Sequence, residues 1–221
     1  MKTGIHPNYD EAVIAYQAAL SINDRIADLH MGLGRTYWAL GNLDNAIDQF
    51  NLADALNPSD PLPDAFIARI YLNTGEFAKA IQFASKAVED DPTNPIRYGN
   101  LGLAYYRNLQ YSDAIEAFGY AIRGGVTANN QIVTGLTLDY DVAEYYYLYA
   151  LALARGNQCT EALPVAQGLI ASVPADEVAV ANAQEVIRIC EAAAQETPTV
   201  EPTIIDEDVP DEGAADATVA P

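Results

Sequence analysis

The chain has 221 residues, half of them hydrophobic, and carries 31 acidic against 11 basic side chains, a formal net charge of −20. A surface this acidic repels nucleic-acid phosphates and anionic lipid headgroups, and no basic run offsets it. No stretch approaches the roughly 20 apolar residues that a membrane-spanning helix needs. Neither nucleic-acid binding nor membrane insertion is therefore expected.

The first predicted element is a short helix over residues 8–20. Apolar side chains recur there at three- and four-residue spacing, which is typical of a helix with one buried stripe. Only seven residues precede it, too few for the partner helix that each later element has. We therefore expect a self-association surface on this helix. Its residues are Tyr9, Val13, Tyr16 and Leu20.

An internal repeat follows this helix. The segment from Leu33 to Pro58 recurs from Ile67 to Pro92 and again from Leu101 to Ile122, at equal steps of about 34 residues. A fourth copy, from Tyr149 to Pro174, begins after a longer step. A fixed period of this length indicates an array of repeated structural units. The units are expected over about residues 27–60, 61–94, 95–128 and 143–176.

Each copy predicts two amphipathic helices joined by a tight turn, because apolar residues recur with helical spacing on both sides of a break. Prolines such as Pro58 and Pro92 then end the second helices. Small residues recur at two positions where helices would cross, since larger side chains would push the axes beyond about 8 to 10 Å. These positions hold Gly34, Ala68, Gly102 and Ala150, and Ala46, Ala80, Ala114 and Ala162.

An insertion over residues 129–142 separates the third and fourth units. Its residues 132–134 and 136–138 are β-prone on either side of Gly135. A loop this long in a compact array is often functional. The sequence leaves a specific contact role and a tolerated surface insertion equally open.

The last helix is expected over about residues 176–194, where it would cap an array that fills residues 1–195. Residues 196–221 then hold eight carboxylates and no base. Their content of Pro, Thr and acids predicts an acidic extended tail that is disordered when free.

The two cysteines, Cys159 and Cys190, fall near the start of the fourth unit's second helix and near the end of the capping helix. Either they form a disulfide or they are two small buried residues. A bond would favour an oxidising, extracellular compartment, and free thiols would favour the cytoplasm. The first twelve residues show no apolar signal-peptide region, so the compartment stays open.

The period and the motif within it resemble the tetratricopeptide repeat family. In the first copy the matching residues are Leu33, Gly34, Tyr37, Ala46, Phe50, Ala53 and Pro58. The copies depart from the family at its leading tryptophan position, which holds His30, Asp64, Tyr98 and Tyr146. The resemblance implies an all-α fold: a right-handed α-solenoid of helix pairs with an unpaired N-terminal helix and a C-terminal capping helix.

In this family the first helices of the pairs line a concave groove, so the resemblance implies a peptide-binding groove. Its side chains are aromatic, aliphatic and arginine, the usual anchors of a protein interface. The alternative is that they belong to the packing stripes of the helices. The residues are Met31, Arg35, Trp38, Phe66, Arg69, Leu72, Asn100, Leu103, Tyr106, Arg107, Tyr147, Leu151 and Arg155.

The sequence contains no pattern that predicts an active site. Neither histidine, His6 nor His30, has metal-ligand spacing to another ligand, and the glycine-rich segments fall at helix turns and crossings. We therefore expect no catalytic residue, no metal and no cofactor, and predict that the chain is not an enzyme.

Three functions remain compatible with the sequence. The chain could be a structural subunit that self-assembles head to tail into a filament or ring, a monomeric adaptor for an extended peptide, or an accessory piece of a larger protein. The expected partners are other proteins, including copies of this chain. A candidate ligand for the groove is the segment Thr199 to Val209, because its acids could meet groove arginines while its isoleucines fill apolar pockets.

Overall fold

The computed structural model describes residues 8–196. In this range the chain forms ten α-helices and one hairpin of two-residue strands. The helices are α1 (Tyr9–Ile22), α2 (Ala27–Ala39), α3 (Leu43–Leu56), α4 (Leu62–Thr74), α5 (Phe77–Asp90), α6 (Pro95–Arg107), α7 (Tyr111–Arg123), α8 (Ala143–Arg155), α9 (Cys159–Ser172) and α10 (Glu177–Glu196). The strands β1 (Gly125–Val126) and β2 (Ile132–Val133) pair antiparallel between α7 and α8. The acidic tail predicted at the C-terminus lies, from residue 197 on, outside the described residues.

The helices pack as consecutive pairs, α2 with α3, α4 with α5, α6 with α7 and α8 with α9, and each pair packs on the next. Glycines make this possible. A Cβ on Gly34 would lie 2.7 Å from Cε1 of Phe50, and a Cβ on Gly102 would lie 2.7 Å from Cδ1 of Phe118. The alanines at the second predicted crossing position are fully buried. The predicted all-α helical-repeat fold is thereby confirmed.

The largest cluster of buried apolar residues lies around α8. Seven consecutive residues of this helix, from Leu148 to Ala154, are buried. A helix that is apolar on all sides must be surrounded by other elements, and α8 packs against α7, α9 and α10. At the other extreme, α1 contains no buried residue.

In the first helix of each pair, the position of the family's leading tryptophan holds a polar side chain. In three of the four helices this side chain forms a hydrogen bond with the backbone that precedes the helix. Nε2 of His30 lies 2.9 Å from the carbonyl oxygen of Asp24. The Tyr98 hydroxyl donates to the carbonyl oxygen of Pro92 at 3.0 Å, and the Tyr146 hydroxyl donates in the same way to the insertion. Buried polar groups need such partners, so each of these substitutions of the family's tryptophan is locally satisfied.

Asp64 occupies the same position in α4 and forms an ion pair. It is 1% exposed, and Nζ of Lys86 in α5 lies 2.8 Å from its Oδ2 and 2.7 Å from Oδ1 of Asp54 in α3. Burial raises the pKa of Asp64, while the bound ammonium group opposes that shift. One lysine thus links three consecutive helices.

The insertion is packed onto the end of α7. The Leu136 N–H donates to the carbonyl oxygen of Ala121 at 2.8 Å, and Val133 is 3% exposed. Gly135 lies so close to the carbonyl group of Ile122 that any side chain there would collide with it. The insertion therefore completes the core beneath the third unit.

Candidate protein interaction surfaces

A cleft of about 520 Å³ crosses α4, α6 and the start of α8, and we call it the first-helix groove. It is lined by Arg69, Leu72, Asn73, Asn100, Leu103, Arg107, Asp141, Glu144 and Tyr145. Five of these were predicted from the sequence, namely Arg69, Leu72, Asn100, Leu103 and Arg107. The first helices thus bring the central part of the predicted residue set together.

The groove continues toward the N-terminus along α2, where predicted residues of two helices interlock. The Arg35 guanidinium lies 5.7 Å from the centre of the Phe66 ring, and the Arg69 guanidinium lies 5.4 Å from the Trp38 ring. The two rings meet edge to face at 5.7 Å. Cation–π contacts of this kind hold an arginine in place without neutralising its charge. Met31 lies beneath them in the core.

Within the described part of the chain, the arginines of this surface have no acidic partners. Among residues 8–196, no carboxylate oxygen lies within 4.0 Å of the side-chain nitrogens of Arg35, Arg69 or Arg107. The carboxylates that share the groove, Asp141 and Glu144, lie at the start of α8. The groove therefore presents cationic groups on α2, α4 and α6 and anionic groups at its opposite end.

Tyr145 is the main groove residue that the sequence did not predict. Its hydroxyl donates to Oδ1 of Asn100 at 2.8 Å, and its ring packs where a Cβ on Gly99 would lie 2.7 Å from Cε2. Burial raises the pKa of Tyr145. The available signal was Gly99 itself, which leaves room for a ring of the next first helix. Asn73, Asp141 and Glu144 were also missed.

Besides Met31, four predicted groove residues lie elsewhere or under the surface. Tyr106 and Leu151 are buried in the core, at 8% and 4% exposure. The Arg155 guanidinium covers the rings of Tyr106 and Tyr111 at 5.4 and 5.5 Å, so it lies over the turn between α6 and α7. Tyr147 is half-buried, and burial raises its pKa to about 12. These residues support the groove from below or beside it, as expected for packing-stripe positions.

The predicted self-association residues of α1 are partly exposed. Tyr9 is 37% exposed, and Val13, Tyr16 and Leu20 are half-buried. The Tyr16 ring lies over α2, where a Cβ on Gly32 would come 2.5 Å from its Cζ. Tyr9, Tyr16 and α2 residues line a second cleft of about 380 Å³. Within the described range, the side of α1 away from α2 thus carries exposed apolar residues such as Ile14.

The two cysteines come together at the other end of the array. The sulfur atoms of Cys159 and Cys190 are in bonding contact, and their Cα atoms are 5.5 Å apart, inside the range of about 4.4 to 6.8 Å that a disulfide allows. Such a bond joins the first turn of α9 to α10. Counting free thiols in the purified protein is its test.

The described residues contain no cluster suited to metal binding. Residues 8–196 include no group of three or more His, Cys, Asp or Glu side chains that could hold an ion. Nδ1 of His30 lies 2.8 Å from Oε1 of Gln49, so this histidine is held within the helix packing. His6 lies outside the described residues. In the same range no helix is both long enough and apolar enough to cross a membrane.

Comparison with protein families gives matches along most of the described chain. Models of the tetratricopeptide repeat match residues 7–61 and 100–177, and a further one matches residues 65–94. The matched segments leave out residues 62–64 and 95–99, the latter at the start of α6, but together they cover well over half of the chain.

Two curated relatives are subunits of protein complexes. The chain is 31% identical over 137 residues to BBSome complex member BBS4 of Bos taurus, covering 60% of this chain and 26% of that protein. It is 28% identical over 110 residues to anaphase-promoting complex subunit 6 of Arabidopsis thaliana, covering 50% and 20%. The chain thus spans about a quarter or less of the length of these two relatives.

Solved structures share the fold at low identity. The crystal structure of YrrB, described as a TPR protein with an unusual peptide-binding site, superposes with a TM-score of 0.65 at 18% identity, covering 81% of this chain and 86% of that one. The crystal structure of MamA gives a TM-score of 0.58 at 19% identity, covering 85% and 91%.

Proposed function

The chain belongs to the tetratricopeptide repeat family, and from this premise we propose that it is a non-enzymatic scaffold whose first-helix groove holds an extended acidic and apolar segment. The observation that carries the proposal is the set of arginines that have no carboxylate partner among residues 8–196. Arg35, Arg69 and Arg107 keep their charge at the surface of a chain with 31 acids. Charge-assisted hydrogen bonds from arginine to a carboxylate are short and directional, so an acidic ligand suits them best.

The groove also offers apolar and amide groups to such a ligand. Leu72 and Leu103 are half-buried on its floor, and Asn73 and Asn100 lie beside them. Asparagine side chains can both donate to and accept from a peptide backbone. YrrB, which has the same fold, is a protein with a peptide-binding site. An extended segment that contains both apolar and acidic residues would use both kinds of contact.

The C-terminal sequence of the chain contains such a segment. Residues 199–209 read TVEPTIIDEDV, with two isoleucines followed by three acids. These residues lie outside the described range. We propose that the groove binds this segment, either from its own chain or from a neighbour, and that the acids meet the arginines of α2, α4 and α6.

A labelled TVEPTIIDEDV peptide titrated into the full chain tests the proposal. The double variant Arg35→Glu/Arg69→Glu should weaken binding by about tenfold or more, because each lost charged hydrogen bond contributes about 1.5 to 3 kcal/mol. The control Arg25→Glu/Arg188→Glu changes the net charge equally at exposed positions outside the groove. Equal affinity for both double variants would contradict a groove site.

A second proposal, self-association, rests on α1. Ile14 and Ile22 of this helix are 67% and 89% exposed, and Tyr16 holds the place, one period earlier, of the fully buried Phe50. An array with an uncovered apolar end tends to associate. If a different surface of a second copy covers α1, the contact is heterologous and produces a ring or a filament.

Light scattering over a concentration series tests self-association. Val13→Lys and Tyr16→Lys should abolish concentration-dependent growth, because each buries a charge in the contact, while circular dichroism should show unchanged helicity. A wild-type chain that stays monomeric at high concentration would instead support the monomeric adaptor, with the groove as its binding site.

A further inference from the structure

A second cavity, separate from the first-helix groove, lies in the furrow between α6 and α7. We call it the tyrosine pocket. Its volume is about 180 Å³, and three tyrosines and two carboxylates are among its lining residues. These are Tyr98, Tyr105, Tyr120, Asp113 and Glu116. The rings of Tyr98 and Tyr120 lie 5.1 Å apart at its closed end.

The tyrosine pocket and the groove use opposite sides of α6. Asn100, Leu103 and Arg107 face the groove, whereas Tyr98 and Tyr105 line the pocket. Helix positions three, four or seven apart share a face, and these two sets fall about half a turn from each other. A ligand in one site therefore leaves the other free.

The equivalent furrow of the second unit is filled by the chain's own lysines. One period earlier in the sequence, Tyr105 corresponds to Tyr71, Asp113 to Lys79 and Tyr120 to Lys86. Nζ of Lys79 lies 4.8 Å from the centre of the Tyr71 ring. Nζ of Lys86 is bound to Asp64, the residue that corresponds to Tyr98. A tyrosine and a carboxylate there each hold an ammonium group of the same chain.

The corresponding furrow of the fourth unit holds an arginine, although there the ring belongs to Tyr149, which corresponds to Leu101 of the tyrosine pocket. The Arg123 guanidinium lies 5.6 Å from the centre of the Tyr149 ring and 3.2 Å from Oε2 of Glu161. Across the longer step that contains the insertion, Glu161 corresponds to Asp113 of the third unit. Both neighbouring units thus combine a tyrosine ring, a carboxylate and a cation from this chain.

The third unit has the rings and the carboxylates but not the cation. No lysine or arginine lines the tyrosine pocket, and among residues 8–196 neither Asp113 nor Glu116 has a basic nitrogen within 4.0 Å. Asp113 accepts a hydrogen bond from Gln110 at 2.9 Å. Arg123 lies beyond Tyr120 on α7, but it is engaged by Tyr149 and Glu161.

We propose that the tyrosine pocket binds an arginine side chain of a partner protein. The guanidinium would stack on the tyrosine rings and donate to Asp113 and Glu116, which combines the two interactions for which arginine is suited. The internal comparison supports a cation, because two neighbouring units already hold one in the equivalent furrow. Arginine is favoured over lysine because its planar guanidinium can stack on the paired rings of Tyr98 and Tyr120.

NMR of the full chain with labelled tyrosines, titrated with the peptide acetyl-Gly-Arg-Gly-amide, tests the proposal. Shifts should occur at Tyr98, Tyr105 and Tyr120, and the peptide with neutral citrulline in place of arginine should cause none. Glu116→Gln and Tyr105→Ala should each weaken binding about threefold to tenfold, the range expected for one exposed ion or cation–π contact.

Two further variants separate the pocket from general attraction to an acidic protein. Asp48→Asn removes a charge at the position that corresponds to Glu116 in the first unit, two periods earlier, and should leave binding unchanged. Asp113→Lys copies Lys79 of the second unit and should abolish binding by supplying the cation within the chain. Equal weakening by Asp48→Asn and Glu116→Gln, or shifts confined to other tyrosines, would overturn the proposal. So would tighter binding of acetyl-Gly-Lys-Gly-amide than of the arginine peptide.

Discussion

The two ends of the array are built in opposite ways. The N-terminal helix α1 has no buried residue and packs on α2, whereas α10 packs on both α8 and α9 and buries Ala179, Ala183 and Val186 completely. The outer side of α10 is mostly polar, although Val178 is exposed there, and Gln184 lies at the helix-crossing position that holds Gly or Ala in the four units. A helix of an array gains its stability from neighbours on both sides, so α10 is expected to be held more firmly than α1.

The largest difference in stability between the middle of the array and its N-terminal end is expected when alanine is placed at the same repeat position in both. Phe50 is fully buried and stacks on Phe66 at 5.2 Å, so Phe50→Ala should lower the free energy of unfolding by about 3 to 5 kcal/mol. Tyr16, its counterpart one period earlier, is half-buried, and Tyr16→Ala should cost about 1 kcal/mol. Urea unfolding followed by circular dichroism measures both values.

The two stability losses together test whether α1 is held less firmly than α3. Similar losses for Phe50→Ala and Tyr16→Ala at low protein concentration would show that α1 is as firmly held as α3, and the contrast between the ends would be wrong. A loss at Tyr16 that grows with protein concentration would instead place this ring in a contact between chains.

The next largest effect on stability is expected at the C-terminal end of the array, from the Cys159–Cys190 bond. A bridge that closes a loop of about 30 residues stabilises by roughly 2 to 4 kcal/mol. Cys159→Ala should therefore lower the unfolding free energy by that amount in the oxidised protein and by much less under reducing conditions. Two reactive thiols in the unreduced, denatured wild type would contradict the bond.

Much of the fold follows directly from the repeat. The constant period of the first three units sets which helices pair, and the match of Gly34 with Phe50 fixes how closely they approach. The groove residues on α2, α4 and α6 were predictable because these helices keep the same register. Their side chains off the packing stripe must therefore face one side.

The groove beyond α6 was not predictable, because the insertion changes the register. The step to the fourth unit is longer than the others, so α8 meets α6 with Tyr145 over Gly99, and the residues that begin α8 enter the groove. The spacing of residues in the sequence also does not predict how deeply each side chain is buried. Tyr106 of α6 and Leu151 of α8 have suitable chemistry for an interface, but both are buried in the same core cluster.

The smallest effect on stability is expected from substitutions of exposed residues on α1 and α10. These substitutions test most directly whether α1 of one chain contacts α10 of another. Ile14 of α1 and Val178 of α10 are exposed apolar residues of similar exposure, 67% and 59%, so lysine at either position should change the unfolding free energy by no more than about 0.5 kcal/mol. Their effects on association should differ. If α10 of one chain covers α1 of the next, Ile14→Lys and Val178→Lys should both reduce the average mass in light scattering. If α1 is covered by another surface, only Ile14→Lys should do so, which the polar outer side of α10 and the large Gln184 side chain favour. Association that neither variant alters would remove α1 from the contact and leave the groove as the interaction surface of the protein.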